Sequence, residues 1–209
     1  MIAGCRSSQP AKPAGAPPRG VLELRILADR SQDEGAGKIA ACRTAFTKEG
    51  PTTRGAEEGY GWFKIKDPAD FFKTKDLKGQ FDRIQKETPL VTERRGDEYY
   101  VLAHTVEDYT MTHAAGAPEW SAQTARLNRS TQGYLAVEVE LDGRGAAQLE
   151  KLTGDHRGKV LGVFLDDQTI MKLTITDVIR QSIRITGAFS LREAEDLEKL
   201  LQQSKGLPK

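Results

Sequence analysis

From Gly133 to Leu201 the hydrophobic rhythm of the chain alternates between a period of two and a period near 3.6, with a polar or glycine break at each change, and this fixes the order of elements. "GYLAVEVELD" sets Leu135, Val137, Val139 and Leu141 against Glu138 and Glu140, the pattern of a strand with one buried and one wet face. "GRGAAQLEKLTGDH" then carries Ala146, Leu149 and Leu152 at helical spacing from about Gly145. "GKVLGVFLDDQTIMKLTI" reads as two β-rich runs around a polar turn at Asp166 to Gln168, and Ile183 to Thr186 add a last short strand. Strand, helix, hairpin, strand and helix in this order predict an α+β fold, a largely antiparallel sheet with helices packed on one face.

The sharpest change of rhythm is "RITGAFSLREAEDL", Arg184 to Leu197. Gly187 ends the strand, Ser190 is placed to cap the amides of the next turn, and Glu193, three residues on, completes a capping box. Leu191, Ala194, Leu197 and Leu201 follow on one helical face, Phe189 is placed to pack one turn inside, and Gly206 and Pro208 close the helix. The joint predicts a terminal helix held at a fixed angle to the sheet.

The N-terminal half is read more coarsely. Val21 to Leu27 alternate as a strand with Leu22, Leu24 and Ile26 on its buried face. Ile39, Cys42 and Phe46 mark a helix stopped by Gly50-Pro51, with Cys42 as a small buried apolar residue, and residues 52–59 form a loop. "GWFKIKDP" predicts a short strand, "DLKGQFDRIQKE" a helix with Leu77, Phe81 and Ile84 on one side, and "DEYYVLAHT" another strand. Val106 to Pro118 reads as a loop or half-helix.

The residue inventory argues against a reaction centre. His104, His113 and His156 have no metal-ligand spacing, and the two cysteines, Cys5 and Cys42, are too few for a zinc site or a disulfide framework. An acid–base site of His156 with Asp166 or Asp167 is disfavoured, because neighbours on a strand point to opposite faces. Gly158-Lys159 lacks the rest of a phosphate loop. With 31 basic and 30 acidic residues the net charge is +1, which gives no footprint for nucleic acid. The expectation is a protein that is not an enzyme, with no catalytic, cofactor or metal residues.

At the N-terminus Ile2, Ala3 and Gly4 precede Cys5, which resembles the lipobox of bacterial lipoproteins, and "RSSQPAKPAGAPPRG" has the composition of a spacer. Residues 1–20 are therefore expected to be a disordered tether with Cys5 as lipid attachment site, and residues 21–209 a single α+β domain. A lipid on Cys5 is the only membrane contact expected.

The ordered series "GRGAAQLEKLT", "GKVLGVFLDD", "IRITGAFSLREAEDLEKLL" and "GLP" resembles the head portion of the first extracytoplasmic (P1) domain of SecD, a membrane subunit of the Sec protein translocase. The matching positions are Gly145, Ala146, Leu152, Thr153, Gly158, Lys159, Leu165, Asp166, Ile185, Thr186, Gly187, Phe189, Ser190, Glu193, Ala194 and Leu197, with Ile185 to Leu197 as the family's strand-to-helix joint. "LELRIL", Leu22 to Leu27, similarly resembles the strand that enters the head. The likeness is good from Gly133 onward, thin between Arg30 and Gln132 and absent before Gly20. It departs at Met171-Lys172-Leu173, where the family has a small residue, alanine and proline, and at Gly206, a displaced helix-end glycine.

The family's proton-coupling transmembrane helices are expected to have no counterpart here. The resemblance implies a non-enzymatic head at the bacterial cell envelope, on the extracytoplasmic face of the cytoplasmic membrane or in the periplasm. Its implied partners are unfolded preprotein or Sec channel components. Trp62, Phe63, Trp120 and Tyr134 are weighed as contact aromatics, and each reads more readily as packing. The alternative is an envelope lipoprotein scaffold that reuses the head fold to bind another protein.

Overall fold

The computed structural model describes residues 20–31, 36–52, 59–113, 119–129, 134–187 and 189–203. Cys5 and the proposed tether, with Gly206 and Pro208, lie outside these residues. In chain order the elements are β1 (Leu22–Ile26), α1 (Ala36–Glu49), β2 (Tyr60–Ile65), α2 (Pro68–Phe72), α3 (Leu77–Glu87), β3 (Thr92–Arg95) and β4 (Glu98–His104). A 3₁₀ turn (Glu107–Tyr109) leads to β5 (Thr110–Met111), β6 (Ala122–Arg129), β7 (Leu135–Leu141), α4 (Gly143–Asp155), β8 (Val160–Leu165), β9 (Gln168–Thr174), β10 (Ser182–Thr186) and α5 (Leu191–Gln203).

The fold is α+β, and its strands divide between two sheets. Seven strands run in the order β3-β4-β2-β9-β8-β1-β5, and three in the order β10-β7-β6. Every pairing is antiparallel except β2 with β9, which meet in parallel at Lys64–Gln168 and Ile65–Thr169. Helices cover both faces of the large sheet around β2 and β4. Ile39, Cys42 and Phe46 of α1 pack on Tyr60, Trp62, Tyr100 and Leu102, while Phe71 of α2 and Phe81 of α3 pack on Phe63, Ile65, Tyr99 and Val101. Alternate residues of the same strands thus feed opposite cores, as the pleat requires.

A third core joins the sheets. Leu22, Leu24 and Ile26 of β1 and Leu161, Val163 and Leu165 of β8 meet Val137, Val139 and Leu141 of β7, Leu149 and Leu152 of α4, and Ala194, Leu197 and Leu201 of α5. β1 lies inside the sheet between β8 and β5, so Arg25 and Leu27, on its other face, are buried as well. On α5 the expected apolar stripe is present except at Leu191, which is 45% exposed. Helix α4 starts two residues earlier than expected and buries Gly145, Leu149, Leu152 and Thr153, with Ala146 only half-buried.

Candidate functional site

Several of the residues that carry the sequence resemblance act in joints between elements, and Leu152, Leu165, Ile185, Ala194 and Leu197 lie in the central core. At the β7–α4 corner the Asp142 carboxylate accepts from Gly145 N at 2.7 Å and Ser121 Oγ at 2.7 Å, capping the helix. A Cβ on Gly145 would stand 3.0 Å from Leu141 Cβ and 3.4 Å from Trp120 Cβ, so glycine lets the first turn of α4 approach β7. Fully buried Thr153 accepts from Ile179 N at 2.9 Å and donates to Leu149 O at 2.7 Å, clamping the segment that enters β10.

The β8–β9 turn falls where the sequence places it, so Asp166 and Asp167 are turn residues and not the strand neighbours that the acid–base argument assumed. Asp166 and Asp167 both have left-handed backbones, φ 50° and 66°, the conformation of a tight two-residue hairpin turn. The Asp166 carboxylate accepts from Gly20 N and Val21 N, each at 3.2 Å, and ties the start of β1 to this hairpin. At the last joint the capping box is complete: Glu193 N donates to Ser190 Oγ at 3.3 Å and Ser190 N donates to Glu193 Oε2 at 2.9 Å. Half-buried Phe189 joins the central core, and its ring comes so near Gly187 that a Cβ there would sit 2.9 Å from it.

The histidines are brought together in part. His104 and His156 both pack on Tyr109, with ring centroids 4.2 and 4.5 Å away, and Tyr60 lies 4.7 Å beyond His104. His156 is buried, its Nδ1 is 2.9 Å from Leu152 O, and burial pushes its pKa below the usual value. The carboxylate that acts on it electrostatically is Asp155, and no contact with Asp166 or Asp167 occurs among the described residues. His113 stands apart, stacked on Trp120 at 4.5 Å. Among the described residues no three His, Cys, Asp or Glu side chains are grouped to hold a metal ion.

Of the aromatics weighed as contact residues, Trp62, Phe63 and Trp120 are buried, and Trp62 Nε1 donates to Cys42 O at 3.2 Å. Only Tyr134 is open, at 68% exposure. The sheet edges differ more sharply. β3 is four residues long with three charged, Thr92 O at its start accepts from Gln85 Nε2, and Arg43 pairs with Glu93 at 2.8 Å. β5 has two residues. Along β6, Leu127 N donates to Glu198 Oε1 at 3.0 Å and Ala125 O accepts from Gln202 Nε2 at 2.9 Å, so α5 caps that edge. β10 is the fourth edge, and among the described residues its outer main chain is met by a side chain at Thr186 alone, whose N–H donates to Met171 Sδ at 3.2 Å.

Together these features define an α+β module whose recurring residues serve caps, turns and close contacts. Residues 110–206 match the SecDF, P1 head subdomain. The protein translocase subunit SecD of Leptotrichia buccalis is 37% identical over 87 residues, 41% of this chain and 21% of that protein. The corresponding subunit of Aquifex aeolicus is 34% identical over 80 residues, 38% of this chain and 16% of its own length. The chain thus spans about a fifth of the length of the curated relatives it matches. A solved structure of SecDF, described as a membrane component that enhances protein export, aligns with 89% of this chain and 63% of its own at 21% identity and a TM-score of 0.46. No helix among the described residues is long and apolar enough to cross a membrane.

Proposed function

We propose that this chain is a non-enzymatic, SecD-type head that contacts unfolded preprotein during translocation across the bacterial cytoplasmic membrane, on the outer face, beside Sec channel components. The observation that carries this reading is the family match over residues 110–206, where Asp142, Thr153 and the Ser190–Glu193 box form caps and a clamp between elements. A head of this kind acts mechanically: it holds an extended chain and hinders backward slip without reading its sequence. Main-chain hydrogen bonding suits that task because every polypeptide offers the same groups. Residues 1–20 serve as the tether of the domain formed by residues 21–209, with Cys5 as its lipid attachment.

Photo-crosslinking of the purified chain to a secretory polypeptide kept unfolded by reduction and alkylation tests the reading. The expected result is crosslinking to the unfolded polypeptide and none to its folded form. Failure to crosslink, with capture of a folded envelope protein instead, contradicts it and supports the scaffold alternative. Fatty-acid labelling in cells that is lost in Cys5→Ser tests the anchor.

A further inference from the structure

We infer that the free edge of β10 is where an extended, apolar-alternating segment of unfolded polypeptide adds as a fourth strand to the small sheet. The inference rests on the preprotein-holding role proposed above and assigns it a place. Leu141 N donates to Gln181 O at 3.0 Å, which sets the register: Gln181, Ile183 and Ile185 turn their main chain toward β7, and Ser182, Arg184 and Thr186 turn theirs outward. Ser182 and Arg184 each present an N–H and a C=O with no hydrogen-bond partner among the described residues. Thr186 N donates to Met171 Sδ at 3.2 Å, and a thioether is a weak acceptor that a peptide carbonyl outcompetes.

An unpaired edge of this kind is ordinarily blunted, and the other three here are: by charge and shortness at β3, by two-residue length at β5, and by Glu198 and Gln202 at β6. What flanks β10 selects the occupant. At its Thr186 end stand Met171 and Phe189, both half-buried members of the central core, which offer apolar contacts to alternate side chains of an added strand. On the wet face Arg184 is exposed and has no ion pair among the described residues, which favours a neutral or acidic residue opposite it. A second copy is disfavoured by the same residue. In the register that overlaps all five residues, two-fold antiparallel pairing of β10 with itself centres on Arg184 and sets two guanidinium groups directly opposite each other.

The test uses the whole chain and a fluorophore-labelled synthetic peptide of alternating valine and threonine, with a fully N-methylated twin as control. Residue-resolved amide exchange is measured with and without peptide. The expected result is slowing of the Ser182 and Arg184 amides by at least about tenfold, no change at Leu127, and no binding of the N-methylated twin. Arg184→Pro removes one outward donor at a position where an edge strand tolerates proline and weakens peptide binding about tenfold. Peptide binding that leaves Ser182 and Arg184 unchanged overturns the edge assignment while preprotein holding stands. No binding by this peptide or by an alkylated secretory polypeptide overturns both. Protection of β10 without peptide that grows with protein concentration shows a second copy on the edge and overturns the assignment.

Discussion

Thr153 shows how much one motif residue does. Its hydroxyl serves the last turn of α4 and the segment before β10 at once, accepting from Ile179 N while donating within the helix. Thr153→Val preserves the shape but leaves Ile179 N without its acceptor, and is expected to cost about 1–2 kcal/mol in urea unfolding, with Thr153→Ser recovering most of the loss. His156 makes the second residue-scale prediction. Burial against Tyr109, aided by the nearby Lys159 and His104 and opposed by Asp155 and the Leu152 carbonyl, pushes the imidazole pKa below its usual value of 6.5 in the folded state. The unfolded chain therefore binds the proton first as pH falls. Stability is full above the ordinary histidine range and declines as pH drops through it toward the lowered folded value. Chemical-denaturation curves across that range are expected to show a shallower decline for His156→Gln than for the wild type.

Among the elements, α5 contributes twice. One face buries Ala194, Leu197 and Leu201, and the flank beside it covers the β6 edge through Glu198 and Gln202. Replacing both Glu198 and Gln202 by alanine is expected to speed exchange of the Leu127 amide and to promote self-association on sedimentation, because a second edge is then open. The buried face of α5, the β7 alternation and the Ser190–Glu193 box were all legible in the sequence, since each is a local pattern with a single geometric reading. β6 was not. A register shift between Ala122 and Thr124 breaks its alternation, and its buried positions, Ala122 and Ala125, are small. β3 hides for another reason: "TERR" buries only Thr92. α2 went unread: Asp67-Pro68 looks like the end of a strand, the cap in which Asp67 Oδ1 accepts from Asp70 N at 3.0 Å shows only in the structure, and five residues leave no period to read. Leu191 was misplaced because helical spacing gives a face and says nothing about where along the helix the sheet ends.

At the scale of the whole molecule, one core binds the two sheets, so β1 and β8 of the large sheet share buried contacts with β7, α4 and α5. The sequence specified the α+β class and one antiparallel layer. It could not show two sheets or helices on both faces, because strand order is set by contacts between distant segments such as Lys64–Gln168. For the same reason no sequence pattern marked β10 as an edge: "SIRIT" reads alike whether or not another strand lies beside it. The aromatics weighed from the sequence went mostly into the cores, as their large apolar area favours. What distinguishes the surface, among the described residues, is an asymmetry of sheet edges, with three closed and one open. The most direct measurement of that asymmetry is amide exchange, resolved by residue, in the isolated chain at low concentration. Fast exchange at Ser182 and Arg184 beside slow exchange at Leu127 is the predicted result, and protection of Arg184 equal to that of Leu127 in the monomer contradicts it.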